Sequence, residues 1–248
     1  MFIEGRNAVR EALQSDITIN KIYVDKNLEH RRDEILALAS KKKIKVEYLP
    51  KNLMDKKSET KRHQGFIADS VDFKYSTLEQ LMDNTKGETP FFVLLDGIED
   101  PHNLGAIIRS CECAGVHGIV IPKNRACLVN ETVIRTSTGA IANMPICMVT
   151  NLKEGIDFFK ENGIWTFVAE TGGDDIYSKN LTMPIAVVIG SEGKGVKQSL
   201  KTYCDGIITL PLMGKVNSLN ASVACGITIF EILRQRLNKG SKWEQTKN

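Results

Sequence analysis

The apolar positions of this chain recur with two rhythms. Over residues 7–14 and 31–42 they fall three and four apart, which predicts helices, whereas 20–25 (NKIYVD), 44–49 (IKVEYL) and 65–71 carry short runs that predict strands. With a short helix after Pro50 these make a small αβαβαβ unit. Residues 72–89 (DFKYSTLEQLMDNTKGET) hold little that needs burial, and NTKGETP strings turn formers together, so a linker is expected at 73–89.

From residue 91 onward six short apolar strands, FFVLLD, GIVIP, PICMV, WTFVAE, IAVVIG and GIITLP, alternate with helical stretches. Uninterrupted apolar strands belong to a mostly parallel sheet with helices on both faces. The expected class is therefore α/β, with a small amino-terminal αβ domain at 1–72 and a parallel-sheet domain at 90–248. Ligands in such sheets sit at the carboxyl ends of strands. Three polar loops lie there: DGIEDPHN after FFVLL, GSEGKG after IAVVI, and PLMGKVNSLN after GIITL.

A chain of 248 residues, 42% hydrophobic and 25% charged, can bury an ordinary core, which excludes a disordered or fibrous protein. No apolar run reaches the ~18 residues of a membrane span. Glu4 and Glu11 interrupt the apolar stretch a signal peptide would need, so a cytoplasmic protein without membrane contact is expected. The six cysteines contain no CxxC pair, and Cys111 and Cys113, two apart on a predicted helix, face opposite ways, so no metal site is expected. The net charge of +3 resides entirely in residues 1–72, which hold 15 basic and 12 acidic side chains. Within them 41–62 carries nine basic against three acidic residues, a potential suited to a polyanion or simply a solvated lysine-rich face.

In the first loop Pro101 and Asn103 announce a helix, with Asn103 expected as its N-cap and Leu104, Ile107, Ile108 and Cys111 as its buried stripe. Gly105, Arg109 and Glu112 share another face, so Arg109 either reaches back across a bare Gly105 toward the loop or pairs with Glu112. His102 and His117 read as ordinary loop histidines. The second loop, GSEGKGV, has neither the P-loop nor the dinucleotide glycine order, yet its three glycines permit close backbone approach to a ligand around Glu192. In the third, Asn217, Ser218 and Asn220 precede a segment, 221–233, that is apolar nearly all round and must be buried or pack on another chain. Any one of the three could serve as an N-cap; together they exceed what one cap requires.

DPHNLGAIIRS, IGSEGKGV and LPLMGKVNSLNASVA resemble, in order, the three motifs of the SpoU-type RNA ribose 2′-O-methyltransferases. RTSTGA (135–140) and the GRNAVREAL opening extend the resemblance over nearly the whole chain, residues 1–72 being similar to the family's RNA-binding domain. The resemblance implies a carboxyl-terminal trefoil knot, an exception to the unknotted default. It also implies S-adenosylmethionine as cofactor, a homodimer, and Asn103, Arg109, Glu192, Ser218 and Asn220 as catalytic-site residues, with Gly190, Leu210 and Leu219 contacting the cofactor. The two-domain form is most similar to enzymes that methylate a guanosine of 23S ribosomal RNA; a tRNA target is the alternative.

Attack by a ribose hydroxyl on a sulfonium methyl requires the hydroxyl to lose or share its proton. Arginine, often named as the base in this family, holds its proton far above neutral pH. Arg109 is therefore expected to act as an electrostatic clamp on the developing alkoxide and neighbouring phosphate. Glu192 would orient Asn103 or Arg109, and Ser218 and Asn220 would position the loop or the nucleotide. Two competing readings are a catalytically silent ribosome-assembly factor, which the intact site set opposes, and a nucleotide-dependent oxidoreductase, which the missing GxGxxG opposes.

Overall fold

The computed structural model describes residues 2–14, 18–29, 33–58, 60–71 and 73–239. They form two units, one built on residues up to 74 with the short stretch 128–131, the other on 75–127 and from 132 onward.

The first unit runs β1 (Phe2–Glu4), α1 (Arg6–Gln14), β2 (Thr18–Asp25), α2 (Glu34–Lys41), β3 (Lys45–Leu49), α3 (Lys51–Lys57), β4 (Phe66–Val71). Its sheet has the order β1-β4-β2-β3, with β2 parallel to β3 and β4 antiparallel to both β1 and β2. Strand alternation sends Ile22, Val24, Phe66 and Ala68 to one face, under Val9 and Leu13 of α1 and Ile35 and Ala39 of α2. Tyr23 and Ile67 point the other way, against Met54 of α3. Asp33 caps α2 by accepting from Ile35 N–H at 2.8 Å, so the helix expected over 31–42 begins at Glu34; residues 31 and 32 lie outside the described residues. β1 escapes the sequence pattern because three residues at a sheet edge are too few to show a period.

The second unit runs α4 (Leu78–Asp83), β5 (Phe91–Asp96), α5 (Pro101–Cys113), β6 (Gly118–Pro122), α6 (Glu131–Thr136), β7 (Ile146–Val149), α7 (Leu152–Glu161), β8 (Trp165–Asp175), β9 (Ile185–Gly190), α8 (Gln198–Lys201), β10 (Gly206–Thr209), α9 (Ala221–Lys239). Its six strands pair in parallel in the order β10-β8-β9-β5-β6-β7. Central β5 is buried at every position, which is why its sequence is apolar without alternation. On one face Leu78 and Leu81 of α4, Ile156 and Phe159 of α7 and Leu200 of α8 cover Phe92, Leu94 and Val120. On the other, α5 and α9 pack on each other through Leu104, Ile107, Ile108 and Cys111 and through Cys225, Ile229 and Ile232. Arg236 of α9 lies over the Phe91 ring at 4.8 Å and donates to the carbonyls of Thr89, Pro90 and Met183.

The stretch expected as a linker thus contains α4. A capping box between Thr77 and Gln80 starts this helix, and Leu78 and Leu81 bury its inner side. Two leucines in a polar segment carry too little periodic signal to betray a core helix. His117 is buried, its Nδ1 accepting from Phe91 N–H at 3.1 Å, and so anchors the start of β5. Among the described residues no helix is long and apolar enough to cross a membrane.

Candidate functional site

The informative loops leave the sheet at the ends of β5, β9 and β10. Asp96 and Gly190 are register partners at the ends of β5 and β9, so the loops they begin start side by side. The first enters α5 differently from expectation: Asp100 is the N-cap, accepting from His102 N–H at 3.0 Å, and Pro101 occupies the first helical position. Asn103 therefore lies inside the helix, and its side chain is released from capping.

Capping falls instead to Asn220, ahead of α9. Its Oδ1 accepts from Ser222 N–H at 2.9 Å and Ser222 Oγ at 2.6 Å. A backbone N–H can only donate, so the amide oxygen must face α9 and the NH2 must face away. That nitrogen donates to Asn103 Oδ1 at 3.1 Å and to Glu192 Oε2 at 3.4 Å. One residue from each of the three loops thus meets through a single amide.

Glu192 belongs to a loop closed by Gly195 N–H donating to Ser191 O at 2.9 Å. At Gly190 a Cβ would fall 2.2 Å from the Gly195 carbonyl carbon, so only glycine permits this closure. Two acids that sequence reasoning missed hold the loop down. Buried Asp96 accepts from Lys197 N–H at 2.9 Å and Nζ at 2.6 Å. Glu170, at the end of the buried run of β8, accepts from Val196 N–H at 3.1 Å and pairs with Lys201 at 3.2 Å. Burial works against the charge on Glu170, but the Val196 N–H, the Lys201 ammonium and the Thr171 N–H outweigh it and hold its carboxyl below the ordinary carboxylate range. Asp96, the last residue of apolar β5, carried a signal; Glu170 ends only the apolar run of β8, which continues to Asp175, and carried none by itself.

Behind this loop lies a cavity of about 330 Å³. Gly190, Leu210 and Leu219 line it, as do Glu192, Ser218, Glu170 and Lys201. Leu210, Leu212 and Leu219 offer apolar surface, the glycines bare backbone, and the acids and lysines charged groups, a lining that fits a ligand with both an apolar part and polar groups. Among the described residues no group of three or more His, Cys, Asp or Glu side chains is placed to hold a metal ion.

Arg109 is not drawn into the amide cluster. It follows Asn103 by six residues, about 9 Å along the helix axis and on a different face, and its exposed guanidinium donates to Thr138 Oγ1 at 3.5 Å. Gly105 is not a bare face for it to cross. It is buried, and a Cβ there would lie 2.6 Å from Thr136 Cβ, so the glycine exists to let α5 approach α6. Nor is the alternative Arg109–Glu112 pair found among the ion pairs of the described residues; Glu112 Oε1 accepts from Asn143 Nδ2 at 3.4 Å. The RTSTGA segment, through Thr136 and Thr138, is what this helix face packs against.

The sequence model of the SpoU rRNA Methylase family matches residues 90–230, and that for RNA 2′-O ribose methyltransferase substrate binding matches residues 2–76. A protein of Bacillus subtilis (strain 168) named as a TrmH family tRNA/rRNA methyltransferase, YacO, is 42% identical over 239 residues, covering 95% of this chain and 96% of its own. Among solved structures, the SpoU methyltransferase AviRb of Streptomyces viridochromogenes, in complex with AdoMet, aligns over 96% of this chain and 91% of its own with a TM-score of 0.61 at 22% identity. The TrmH/SpoU tRNA modifying enzyme of A. aeolicus aligns over 66% of this chain and 84% of its own, with a TM-score of 0.57 at 27% identity. With a family match across more than half its length and a relative this similar from end to end, the chain belongs to the SpoU rRNA methylase family.

Proposed function

We propose that this protein transfers the methyl group of S-adenosylmethionine to the 2′-hydroxyl of an RNA ribose, with a guanosine of 23S ribosomal RNA as the target. The observation that carries the reading is the Asn220 amide, which gathers Asn103 and Glu192 at the mouth of three loops beside a cavity of cofactor size. The AdoMet held by AviRb supports the cofactor, and the substrate-binding match over residues 2–76 supports ribose in RNA as the acceptor. Relatives named for both tRNA and rRNA, and the A. aeolicus tRNA modifying enzyme, keep tRNA as the second reading.

Bound S-adenosylmethionine supplies a methyl group activated by positive sulfur. Gly190, Leu210 and Leu219 would hold it, the glycine by bare backbone and the leucines by apolar contact. Because Asn220 occupies Asn103 Oδ1, the Asn103 NH2 is left to donate to RNA. Asn220 also fixes the Glu192 carboxylate, and the Ser218 hydroxyl, at the cavity wall, can position the nucleotide. Arg109 contributes a planar, permanently charged fork suited to the developing alkoxide and a phosphate.

The proposal includes a homodimer and, on the ground of family membership, the carboxyl-terminal knot and cytoplasmic residence. Val223, Ile227 and Phe230 recur four and three apart along α9 and are 48%, 37% and 45% exposed, an apolar stripe that a symmetric second copy would cover. Sedimentation equilibrium at micromolar concentration tests it: a monomer of 27.6 kDa that still methylates RNA contradicts the dimer. For the target, ribose methylation is mapped across RNA from cells with and without the gene. Loss of one 23S guanosine signal is expected, loss at a tRNA ribose moves the assignment to tRNA, and no loss anywhere overturns the reading.

A further inference from the structure

Glu170 does more than its loop-holding bonds require. Its side chain is only 19% exposed, yet it forms part of the cavity wall. Val196 N–H and Lys201 Nζ both take Oε2, whereas among the described residues Oε1 accepts only a long 3.3 Å bond from Thr171 N–H. An ionised carboxylate offers about four acceptor sites and no donor, so Oε1 is a partly unfilled acceptor on a side chain that lines the cavity. A ligand group that completes it must donate.

S-adenosylmethionine has two such groups near its polar parts, the ribose diol and the α-ammonium. Lys201 already compensates the Glu170 charge, and a second cation beside it would share one carboxylate with a like charge; Lys194, also in the wall, adds to the repulsion. Neutral hydroxyl donors meet no such penalty. Carboxylates also grip a ribose hydroxyl in other α/β sheets. We infer that the Glu170 carboxylate binds the ribose hydroxyls of the cofactor, an assignment that rests on the cofactor reading above. The same side chain thereby ties cofactor occupancy to the 190–196 loop, since its two oxygens serve the ligand and Val196 respectively.

Calorimetric titration of the full chain separates this from mere loop support. S-adenosylhomocysteine is compared with its 2′-deoxy, 3′-deoxy and deaminated analogues on wild type, Glu170→Ala and Glu170→Gln. Wild type is expected to prefer the parent over at least one deoxy analogue by roughly tenfold to a hundredfold, the range for a hydrogen bond to a charged group. In Glu170→Ala that preference should fall to near one. Glu170→Gln retains an oxygen for Val196 N–H, which guards against loss of folding, and should give an intermediate ratio. Equal weakening of every ligand with the deoxy preference intact would reduce Glu170 to a loop support. A preference that Glu170→Ala abolishes for the deaminated analogue instead would assign it to the ammonium. Absence of any binding of S-adenosylhomocysteine to wild type would overturn the cofactor reading itself, and this assignment with it.

Discussion

Asn220 caps α9 through its side-chain oxygen and holds Asn103 through its side-chain nitrogen, at 3.1 Å, so the start of one helix and the site of another are fixed by one amide. The two duties separate by substitution. Asn220→Asp keeps an oxygen for Ser222 but replaces the donor with a carboxylate beside Glu192. Its stability should stay within about 1 kcal/mol of wild type while methyl transfer falls at least about a hundredfold. Asn220→Ala should lose about 1 kcal/mol as well as activity. Thermal denaturation paired with a transfer assay reads both.

Arg109→Ala should abolish or nearly abolish methyl transfer while leaving S-adenosylmethionine bound, because its assigned role arises only in the transition state. The side chain is exposed, so stability should change by no more than about 0.5 kcal/mol. Lysine should rescue poorly, since a point charge lacks the planar fork. Activity near wild type in Arg109→Ala would remove the clamp from the account.

Gly190→Ala forces a methyl group to within 2.2 Å of the Gly195 carbonyl carbon. The loop must open, at a cost of about 1–3 kcal/mol in stability. Cofactor affinity, measured by calorimetry, should drop at least about tenfold, a difference of ~1.4 kcal/mol in binding.

The end of β5 and the loop rule were legible because an all-apolar strand followed by polar residues has few other meanings. The cap was misread at Asn103 although Pro101 pointed to Asp100: proline prefers the position just inside a cap, and two cap-forming residues stood three apart. Gly105 misled for a different reason. A missing side chain reads equally as open space or as close packing, and only the presence of Thr136 decides it. Glu170 was invisible as a site because its partners, Val196 and Lys201, lie 26 and 31 residues away and meet it only once β8 and β9 pair.

Asp205 supplies a pH test of the sheet edge. Its burial opposes ionisation, but Thr166 N–H and Oγ1, each at 2.8 Å, and the Lys160 ammonium depress its pKa below the ordinary value. A depressed carboxylate contributes stability that is full above its unfolded pKa of ~3.9 and is lost as pH falls through the folded value. Urea denaturation across pH 7 to 3 should therefore show Asp205→Asn less stable than wild type at neutrality, with the gap closing on acidification. A gap independent of pH would contradict this.

Lys41 ends α2, Lys42 and Lys43 follow it, and all three are exposed. If they meet phosphates, reversing all three to glutamate should flatten the salt dependence of RNA affinity by about one counterion per lost contact, with cofactor affinity unchanged. An unaltered slope would return the run to an ordinary solvated face.

The central claim is ribose methylation, and it is tested most directly by incubating the purified protein with S-adenosylmethionine carrying a labelled methyl group and bulk unmodified RNA. The RNA is then digested to nucleosides. The account predicts label in a 2′-O-methylribonucleoside, guanosine foremost, reduced at least about a hundredfold with Asn220→Asp. Label in a base, or no label while S-adenosylmethionine demonstrably binds, would contradict it.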